Sequence, residues 1–378
     1  MYPTGCGRKR FHRQCVVLAG CFLVLLAMIT PLGSAQSTAS TPQRTDIERT
    51  HDATQALLAL YNPNKGLFET MGWWNSANAI TTLADESRID PAIDAAPVFS
   101  NTFKQAQVHS AGFINKFYDD EGWWALAWID VYERQGDEAY LRMARSIFSD
   151  MTGGWDNVCG GGIWWNKERH YKNAIANELF LSVAAKLALH STGSKQQEYL
   201  KWANREWTWF SASGMINDRG LINDGLDDKC RNNKAATWSY NQGVILAGLA
   251  DLSAAKPDKN LLDPANRIAL AAIEHLTDSA GILHDPCEPG CKRSGDGVQF
   301  KGIFVRDLLE LYRRSPDPRY AVFLRTNADA VWNHARSMDN HFGASWSGPP
   351  GGDYGRDFGG ALGSALDALV SGASLDRP

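Results

Sequence analysis

The stretch Gly-Val-Ile-Leu-Ala-Gly at residues 243–248 is small or apolar at every position, which is typical of a helix buried on all sides. Ala-Ile-Ala at 174–176 and Gly-Gly-Ala-Leu-Gly at 359–363 have the same character. Segments of this kind recur along the chain at residues 72–85, 121–135, 171–190, 238–255, 299–314 and 358–371. They predict six buried helices.

Amphipathic segments alternate with the buried ones. Their apolar residues recur at helical spacing, and charged residues such as Arg142 and Arg145 occupy the other face. These segments run at residues 46–61, 96–111, 138–152, 196–213, 264–279 and 318–337. Strict alternation predicts an all-α fold, an (α/α)6 barrel with six outer helices around six inner ones. Short extended segments are expected only near residues 162–165 and 221–222.

The first 35 residues have the pattern of an export signal. Basic residues lie between Arg8 and Arg13, residues 15–29 are almost wholly apolar, and small residues at 33–35 precede Gln36. We expect a signal peptide at 1–35, a flexible linker at 36–45, a catalytic barrel at 46–372 and a tail at 373–378. The protein would be secreted or periplasmic. Lipid attachment at Cys21 is the alternative, although nine mostly apolar residues follow that cysteine.

Charge limits the classes of partner. Without the leader, which carries four Lys or Arg and no acid, the formal net charge falls from −4 to −8. This balance argues against nucleic acid and anionic membranes, and it favours a neutral substrate over an anionic one. The C-terminus ends in Asp376, Arg377 and Pro378 with no apolar tail, so we expect no stable membrane anchor. We also expect a monomer.

Four of the seven cysteines lie beyond the predicted leader. An even number in an exported chain suggests disulfides, and Cys287–Cys291 would close a tight loop, which pairs Cys159 with Cys230. A metal site is the weaker interpretation, because the spacing is not CxxC. The Asp-rich loops lack EF-hand spacing. We therefore expect no metal and no cofactor.

The predicted topology brings one set of loops together. If outer and inner helices form antiparallel hairpins, every loop that leads into an inner helix emerges at the same end of the barrel. Eight of the fourteen tryptophans fall in these loops or in the first turns that follow, namely Trp73, Trp74, Trp123, Trp124, Trp164, Trp165, Trp238 and Trp346. The pattern predicts a deep aromatic groove. The alternative is that the tryptophans plug the barrel end as core.

The segment Tyr118-Asp119-Asp120-Glu121-Gly122-Trp123-Trp124 places two adjacent carboxylic acids beside two indoles. Paired carboxyl groups can divide the nucleophile and proton-donor roles of glycoside hydrolysis, and indole faces can stack against sugar rings. The competing interpretation is helix capping, because acids are common in the first turn of any helix.

These motifs resemble glycoside hydrolase family 76 over residues 46–371. The resemblance rests on residues 118–128, 160–165, 173–178, 240–243 and 300–304. It implies an (α/α)6 barrel that cleaves α-1,6 linkages in α-mannan, with fungal cell-wall transglycosylases as relatives. It also implies Asp119 as nucleophile and Asp120 as acid/base. Adjacent aspartates leave little room for an intervening water, which favours a retaining mechanism.

Several other residues are candidates for contact with the glycan. The aromatic candidates are Trp73, Trp74, Trp123, Trp124 and Trp165. Polar candidates in the later loops are Asp224, Asp227, Tyr240, Asn241 and Gln242. Lys301 lies at the start of a buried helix, where an unpaired ammonium is costly, so it should pair with an acid or meet the ligand.

Two other classes of function fit the same fold. Sugar epimerases and polysaccharide lyases use similar helical barrels, and they abstract protons with His, Tyr or Arg. The lack of a basic cluster in the loops argues against a uronate substrate. A non-catalytic glycan-binding protein would keep the groove without turnover.

Overall fold

The computed structural model describes residues 44–288, 291, 295–349 and 358–375. The predicted signal peptide, most of the predicted linker and the last three residues of the tail lie outside the described residues. So does Cys21, the alternative site of lipid attachment. The last helix includes Ala373 and Ser374, so the helical domain continues two residues past the predicted boundary at 372.

The described residues form twelve α-helices, which confirms the predicted all-α barrel. The even-numbered helices are the inner ones: α2 Trp73–Ile89, α4 Tyr118–Gln135, α6 Ala174–Leu189, α8 Ser239–Ala255, α10 Phe300–Arg314 and α12 Phe358–Ser374. Each packs against the next, and α12 packs against α2, so the ring closes. The odd-numbered helices form the outer wall: α1 Asp46–Leu58, α3 Ala96–Gln105, α5 Glu138–Met151, α7 Gly193–Ala212, α9 Leu262–His275 and α11 Pro318–Ala330.

Extended structure is confined to short pieces. Two two-residue strands, β1 Tyr61–Asn62 and β2 Leu67–Phe68, form an antiparallel pair before α2. Single bridges join Trp155 to Ile163 and Ile216 to Ile222, close to the two extended segments expected from the sequence. The remaining irregular helices are 3₁₀ turns at Ala106–Val108, Ala111–Phe113, Thr152–Gly154, Val158–Gly160, Lys259–Leu261 and Asp296–Val298, and a π-helical turn at Val331–Ala335.

Local capping explains where several helices begin. Thr45 and Glu48 form a capping box at the start of α1, and Asp137 and Asp317 cap α5 and α11. Asn173 caps the inner helix α6 by accepting a hydrogen bond from the backbone N–H of Ala176 at 3.3 Å. These bonds satisfy backbone N–H groups that have no partner inside the helix.

The inner helices approach one another at glycine. A Cβ atom on Gly302 of α10 would lie 2.5 Å from the Cα of Ser364 on α12. A Cβ on Gly243 of α8 would lie 2.7 Å from the Cα of Phe304 on α10. The backbones of these helices are therefore closer than any side chain at those positions would permit.

The first and last inner helices are also joined by buried polar groups. Thr82 of α2 donates a hydrogen bond to Asp367 of α12 at 2.7 Å. Arg306 of α10 donates to Asn78 of α2 at 2.7 Å and pairs with Asp367 at 3.3 Å. Because these side chains are buried, the loss of one partner would leave the other without its hydrogen bond, which is costly away from water.

Both predicted disulfides are confirmed. Cys159 is bonded to Cys230, and Cys287 to Cys291. The first of these bonds ties the loop that precedes α6 to the loop that precedes α8. Among the described residues, no helix has the length and the apolar character that a bilayer crossing requires.

Substitution of Gly302 by alanine is expected to lower the free energy of unfolding by about 1–3 kcal/mol. An alanine in a helix normally adds stability, but here its Cβ must displace the α12 backbone. Thermal unfolding of Gly302→Ala measures the effect. Gly153→Ala is the control, because a Cβ there would meet only the Tyr118 hydroxyl at 3.9 Å. Equal melting temperatures for the two variants would contradict the proposed close approach.

Candidate active site

The two aspartates lie in the first turn of α4, at the end of the barrel where the inner helices begin. The N-cap residue of α4 is Phe117, and no side-chain capping bond closes this turn. Asp119 instead accepts a hydrogen bond from Trp165 Nε1 at 2.9 Å, and Asp120 accepts one from Asn115 Nδ2 at 2.6 Å. The carboxyl groups are thus held by side chains from neighbouring loops, which is not the geometry of a simple helix cap.

Burial raises the pKa of both carboxyl groups. The pKa of Asp119 rises to about 8, mainly through desolvation and then through the charge of Asp120. The pKa of Asp120 rises to about 6 through desolvation, which the hydrogen bond from Asn115 opposes. Between these values the pair shares one proton. A site in this state has one group able to attack and one able to donate a proton.

Glu121, the third acid of the segment, is fully buried and supports the loops around the pair. Its Oε1 atom pairs with Lys167 Nζ at 2.8 Å, and Lys167 also pairs with Asp150 at 2.7 Å. The same Oε1 accepts a hydrogen bond from the backbone N–H of Asn115 at 3.2 Å. Burial raises the pKa of Glu121 to about 8, against the opposing effect of Lys167.

An aromatic wall stands beside the pair. The rings of Tyr240 and Phe300 are stacked 3.8 Å apart, and Trp123 lies 6.5 Å from Tyr240 and 5.6 Å from Trp74, also stacked. Trp74 Nε1 donates a hydrogen bond to Asp296 Oδ1 at 3.0 Å. The charge of Asp296 contributes to the raised pKa of Asp120, so the wall and the carboxyl pair are neighbours.

Two predicted contact residues belong to the core. Trp124 is fully buried, with ring distances of 4.7 Å to Phe113 and 4.9 Å to Trp73. Trp73 is half-buried in the same cluster, 6.0 Å from Phe113. The Trp124 ring is enclosed by other aromatic rings, as the core alternative expects. Its contact with the glycan stays a prediction.

Gln242 of α8 is hydrogen-bonded to a loop backbone, and its contact with the glycan stays a prediction. Its Oε1 accepts the backbone N–H of Ile222 at 2.7 Å, and its Nε2 donates to the carbonyl of Ile222 at 2.9 Å. Asn177 of α6 holds the backbone of Ile163 in the same way, at 2.7 and 3.0 Å. Both amides fix extended loop residues to inner helices. Asn241 is likewise fully buried, so it cannot contact a glycan in this conformation.

Lys301 is 1% exposed and pairs with Glu288 at 2.5 Å, as the acid-pairing alternative expects. A contact of Lys301 with the ligand stays a prediction. Asp227 lies in its own loop, where it binds the Arg231 side chain at 2.8 Å and the Lys229 backbone N–H at 2.9 Å. Both of its carboxyl oxygens accept hydrogen bonds from this loop, and the predicted glycan contact of Asp227 stays a prediction.

Asp224 remains a candidate for contact with a sugar hydroxyl. Its carboxyl group is half-buried and accepts a hydrogen bond from the Tyr171 hydroxyl at 2.7 Å. Burial raises its pKa, and hydrogen bonding to Tyr171 opposes that effect. The charges of Asp224 and Asp119 both act on Tyr240, so Asp224 faces the same mouth as the catalytic candidates.

Sequence reasoning missed several residues of the site. Asn115 and Lys172 belong to no recognisable motif. Their roles depend on loop conformations that bring Asn115 to Asp120 and Lys172 to the carbonyl of Gly161. Asp296 stood in a recognised loop, four residues before Phe300 at the start of an inner helix, and that position was the available signal. Glu178 of α6 is fully buried without a hydrogen-bond partner, and burial and then the charge of Asp224 raise its pKa well above the ordinary value.

The described residues contain no group of three or more His, Cys, Asp or Glu arranged to hold a metal ion. A hollow of about 240 Å³ lies beside Asp296, between the starts of α2 and α10. A larger one, of about 1130 Å³, lies on the outer wall between α5 and α7. The adjacent carboxyl groups of Asp119 and Asp120 and the aromatic wall beside them, and not the size of the hollow, therefore identify the site.

The fold and the site define a class of protein: a helical barrel whose mouth holds two adjacent carboxylic acids against an aromatic wall. The model of glycosyl hydrolase family 76 matches residues 47–374. The chain therefore belongs to this family.

Named relatives are fungal. The chain is 28% identical over 273 residues to mannan endo-1,6-alpha-mannosidase DFG5 of Candida albicans, which covers 66% of this chain and 60% of the relative. It is 27% identical over 350 residues to mannan endo-1,6-alpha-mannosidase DCW1 of Saccharomyces cerevisiae, which covers 84% of this chain and 76% of the relative. The chain thus spans about three-fifths of the length of the Candida DFG5 relative.

Solved structures share the fold. The α-1,6-mannanase GH76A of Salegentibacter sp. HEL1_6, solved as an inactive variant with two consecutive aspartates replaced and with α-1,6-mannotetrose bound, has a TM-score of 0.74 at 22% identity, over 86% of this chain and all of that one. Dfg5 from Chaetomium thermophilum, in complex with glucosamine, has a TM-score of 0.76 at 20% identity, over 87% of this chain and 90% of that one.

Replacement of Asp119 by asparagine is expected to raise the melting temperature at pH 9 and to leave it nearly unchanged at pH 4. The pKa of Asp119 is about 8 in the folded protein and about 3.9 in an unfolded chain. The folded state therefore holds this proton more tightly, and stability is lost as pH rises through about 8. Asparagine cannot ionise, so the variant does not lose this stability as the pH rises. Calorimetry at both pH values measures the difference.

Asp227→Asn is the control of opposite sign for this experiment. The side chain of Arg231 lowers the pKa of Asp227 to about 2, so its ionised form is stabilised above about pH 4. The asparagine variant should melt earlier than the parent at pH 9. If both variants shifted in the same direction, the electrostatic account of Asp119 would be wrong.

Proposed function

We propose that this protein is a retaining glycoside hydrolase that cleaves α-1,6-mannosidic linkages in mannan-type polysaccharide. The observation that carries the proposal is the carboxyl pair of Asp119 and Asp120, which shares one proton near neutral pH beside the wall of Trp74, Trp123 and Tyr240. Aromatic faces suit a neutral pyranose, and no basic cluster is needed to bind it.

Family membership and the relatives support the choice of substrate. The fungal relatives are named mannan endo-1,6-alpha-mannosidases. The Salegentibacter enzyme is described as inactive when two consecutive aspartates are replaced, and it was solved with an α-1,6-linked mannan fragment. Asp119 and Asp120 are consecutive aspartates in this chain, at the mouth of the same fold.

The proposed reaction has two displacements. One carboxylate attacks the anomeric carbon while the other carboxylic acid protonates the departing glycosidic oxygen, which gives a covalent mannosyl-enzyme and a free sugar end. A water molecule then gives its proton to the second carboxylate and attacks the same carbon, which releases the first. Each displacement inverts the configuration, so the product keeps the α anomer. A second glycan that replaces the water would be transferred.

Family resemblance makes Asp119 the nucleophile and Asp120 the acid/base. In the unliganded pair the proton is expected on Asp119 and not on Asp120, because the pKa of Asp119 is the higher of the two. For Asp119 to attack, its proton must leave when the glycan binds. Because the proton belongs to the pair and not to one residue, Asp119 as nucleophile and Asp120 as acid/base remain compatible with these pKa values.

The purified protein is expected to release reducing ends from linear α-1,6-mannan, with the α anomer appearing first in proton NMR spectra. Asp119→Asn and Asp120→Asn should each lower kcat by about 10²- to 10⁴-fold, since each removes a group that acts in the transition state. Both variants should remain folded. Product sizes resolved by chromatography will also separate hydrolysis from transfer.

Asp317→Ala is the matched control for the capping interpretation. Asp317 caps α11 by accepting the backbone N–H of Arg319 at 2.9 Å, so its loss should lower the melting temperature by the cost of a cap and leave kcat unchanged. Aspartate variants at 119 and 120 that behaved like Asp317→Ala would refute the catalytic assignment. Early accumulation of the β anomer would mean inversion.

We also propose that the protein is exported and that the mature chain begins near Gln36. The basic and apolar pattern of the first 35 residues supports this, and two disulfides suit an oxidising compartment. N-terminal sequencing of the exported protein should begin at Gln36, and native material should show no free thiol. Complete partition into a detergent phase would instead indicate lipid attachment at Cys21.

A further inference from the structure

Trp165 is joined to the catalytic helix through both its side chain and its backbone. Its indole N–H donates to Asp119 Oδ2 at 2.9 Å. Its carbonyl accepts the backbone N–H of Tyr118, the first residue of α4, at 2.9 Å, and its own backbone N–H donates to the carbonyl of Tyr171 at 2.7 Å. A displacement of Trp165 would therefore also displace the first turn of α4.

One buried lysine holds the loop that carries Trp165. Lys172 is 3% exposed, and its ammonium lies 2.8 Å from Asp156 Oδ1, 2.8 Å from the Val158 carbonyl, and 2.6 and 2.9 Å from the carbonyls of Gly161 and Gly162. The loop is closely packed at Gly162. A Cβ on Gly162 would lie 2.3 Å from the ring of Trp209.

We propose that Trp165 is a positioning residue for the catalytic pair, and that Lys172 keeps it in place by fixing its loop. This differs from the sequence-based expectation that Trp165 contacts the glycan. The inference rests on the proposed glycosidase activity, because the consequence for catalysis requires Asp119 to be one of the two reacting carboxyl groups.

The physical basis is the direction of the hydrogen bond. The indole donates to Oδ2, so it stabilises the ionised carboxylate and holds the carboxyl group in one orientation, with Oδ1 buried and without a hydrogen-bond partner. It opposes the two effects that raise the pKa of Asp119, which are desolvation and the charge of Asp120. The other titratable group facing Asp119 is Tyr240 of α8, on which the charges of Asp224, Glu178 and Asp296 also act.

Adjacent tryptophans provide a matched pair of variants. Trp164 and Trp165 are both half-buried, and each donates its indole N–H to an aspartate: Trp164 to Asp156 at 2.7 Å, and Trp165 to Asp119. Trp164→Phe and Trp165→Phe each remove one such bond from the same loop. Only the second removes a bond to a catalytic candidate.

The experiment measures kcat and KM on α-1,6-mannan from pH 4 to 10 for the parent and both variants. Trp165→Phe should lower kcat by about 10- to 100-fold with little change in KM, because a hydrogen bond to a charged group is lost. One limb of its pH profile should move to higher pH by about one unit. Trp164→Phe should keep both limbs in place and stay within about threefold of the parent in kcat.

The limb that moves also reports the role of Asp119. Movement of the acidic limb identifies the group that must be ionised, which is the nucleophile, and movement of the basic limb identifies the acid. The proposal would be overturned if Trp165→Phe raised KM with kcat unchanged, which is the result expected of a stacking residue. It would also be overturned if both variants left the profile in place.

A measurement without substrate separates this inference from the proposed function. In protein labelled with ¹³C-aspartate, the Asp119 carboxyl signal is assigned by its loss in Asp119→Asn. Its titration should move to higher pH in Trp165→Phe and stay in place in Trp164→Phe. Lys172→Met should reproduce the Trp165→Phe shift if Lys172 acts through Trp165. A parent protein without glycosidase activity that still shows these shifts would refute the proposed function alone, whereas unchanged titrations would refute this inference.

Discussion

The close contact of the inner helices at glycine is the constraint on which the rest of the structure depends. Gly302 and Gly243 let backbones meet where a side chain would intrude, so the inner ring stays narrow and closed. A closed ring of antiparallel hairpins brings all loops of one kind to one end. The site is therefore assembled from segments far apart in sequence, such as Asn115, Trp165 and Asp296, around the first turn of α4.

The buried carboxyl groups of the site lower the stability of the barrel when they ionise. Desolvation raises the pKa of Asp119, Asp120 and Glu121, so the folded protein resists the ionisation that attack on a sugar requires. A different donor opposes the rise in pKa at each carboxyl group: an indole N–H at Asp119, an amide at Asp120 and an ammonium at Glu121. The three acids are consecutive in sequence, yet their partners differ in chemical type: Asn115 comes from the loop before α4, and Trp165 and Lys167 come from the loop before α6.

The sequence predicted the barrel because periodicity reports burial directly, and it predicted the disulfides because only four cysteines remained. It could not separate Trp123 from Trp124: adjacent residues on a helix diverge by about 100°, so Trp123 stacks on Trp74 in the wall and Trp124 packs on Phe113, although both side chains are buried. Gln242 and Lys301 looked like ligands because polar residues at a groove usually face it. Their partners, the backbone of Ile222 and the side chain of Glu288, depend on loop conformations that no spacing rule encodes.

Ring closure also sets an order of events during synthesis. Helix α2 completes its packing only when α12 docks against it, and the bond between Thr82 and Asp367 spans 285 positions. Individual helices form early because their contacts are local, whereas this last seam must wait for nearly the whole chain. The face of α2 that packs against α12 therefore stays uncovered until the last helix has been made.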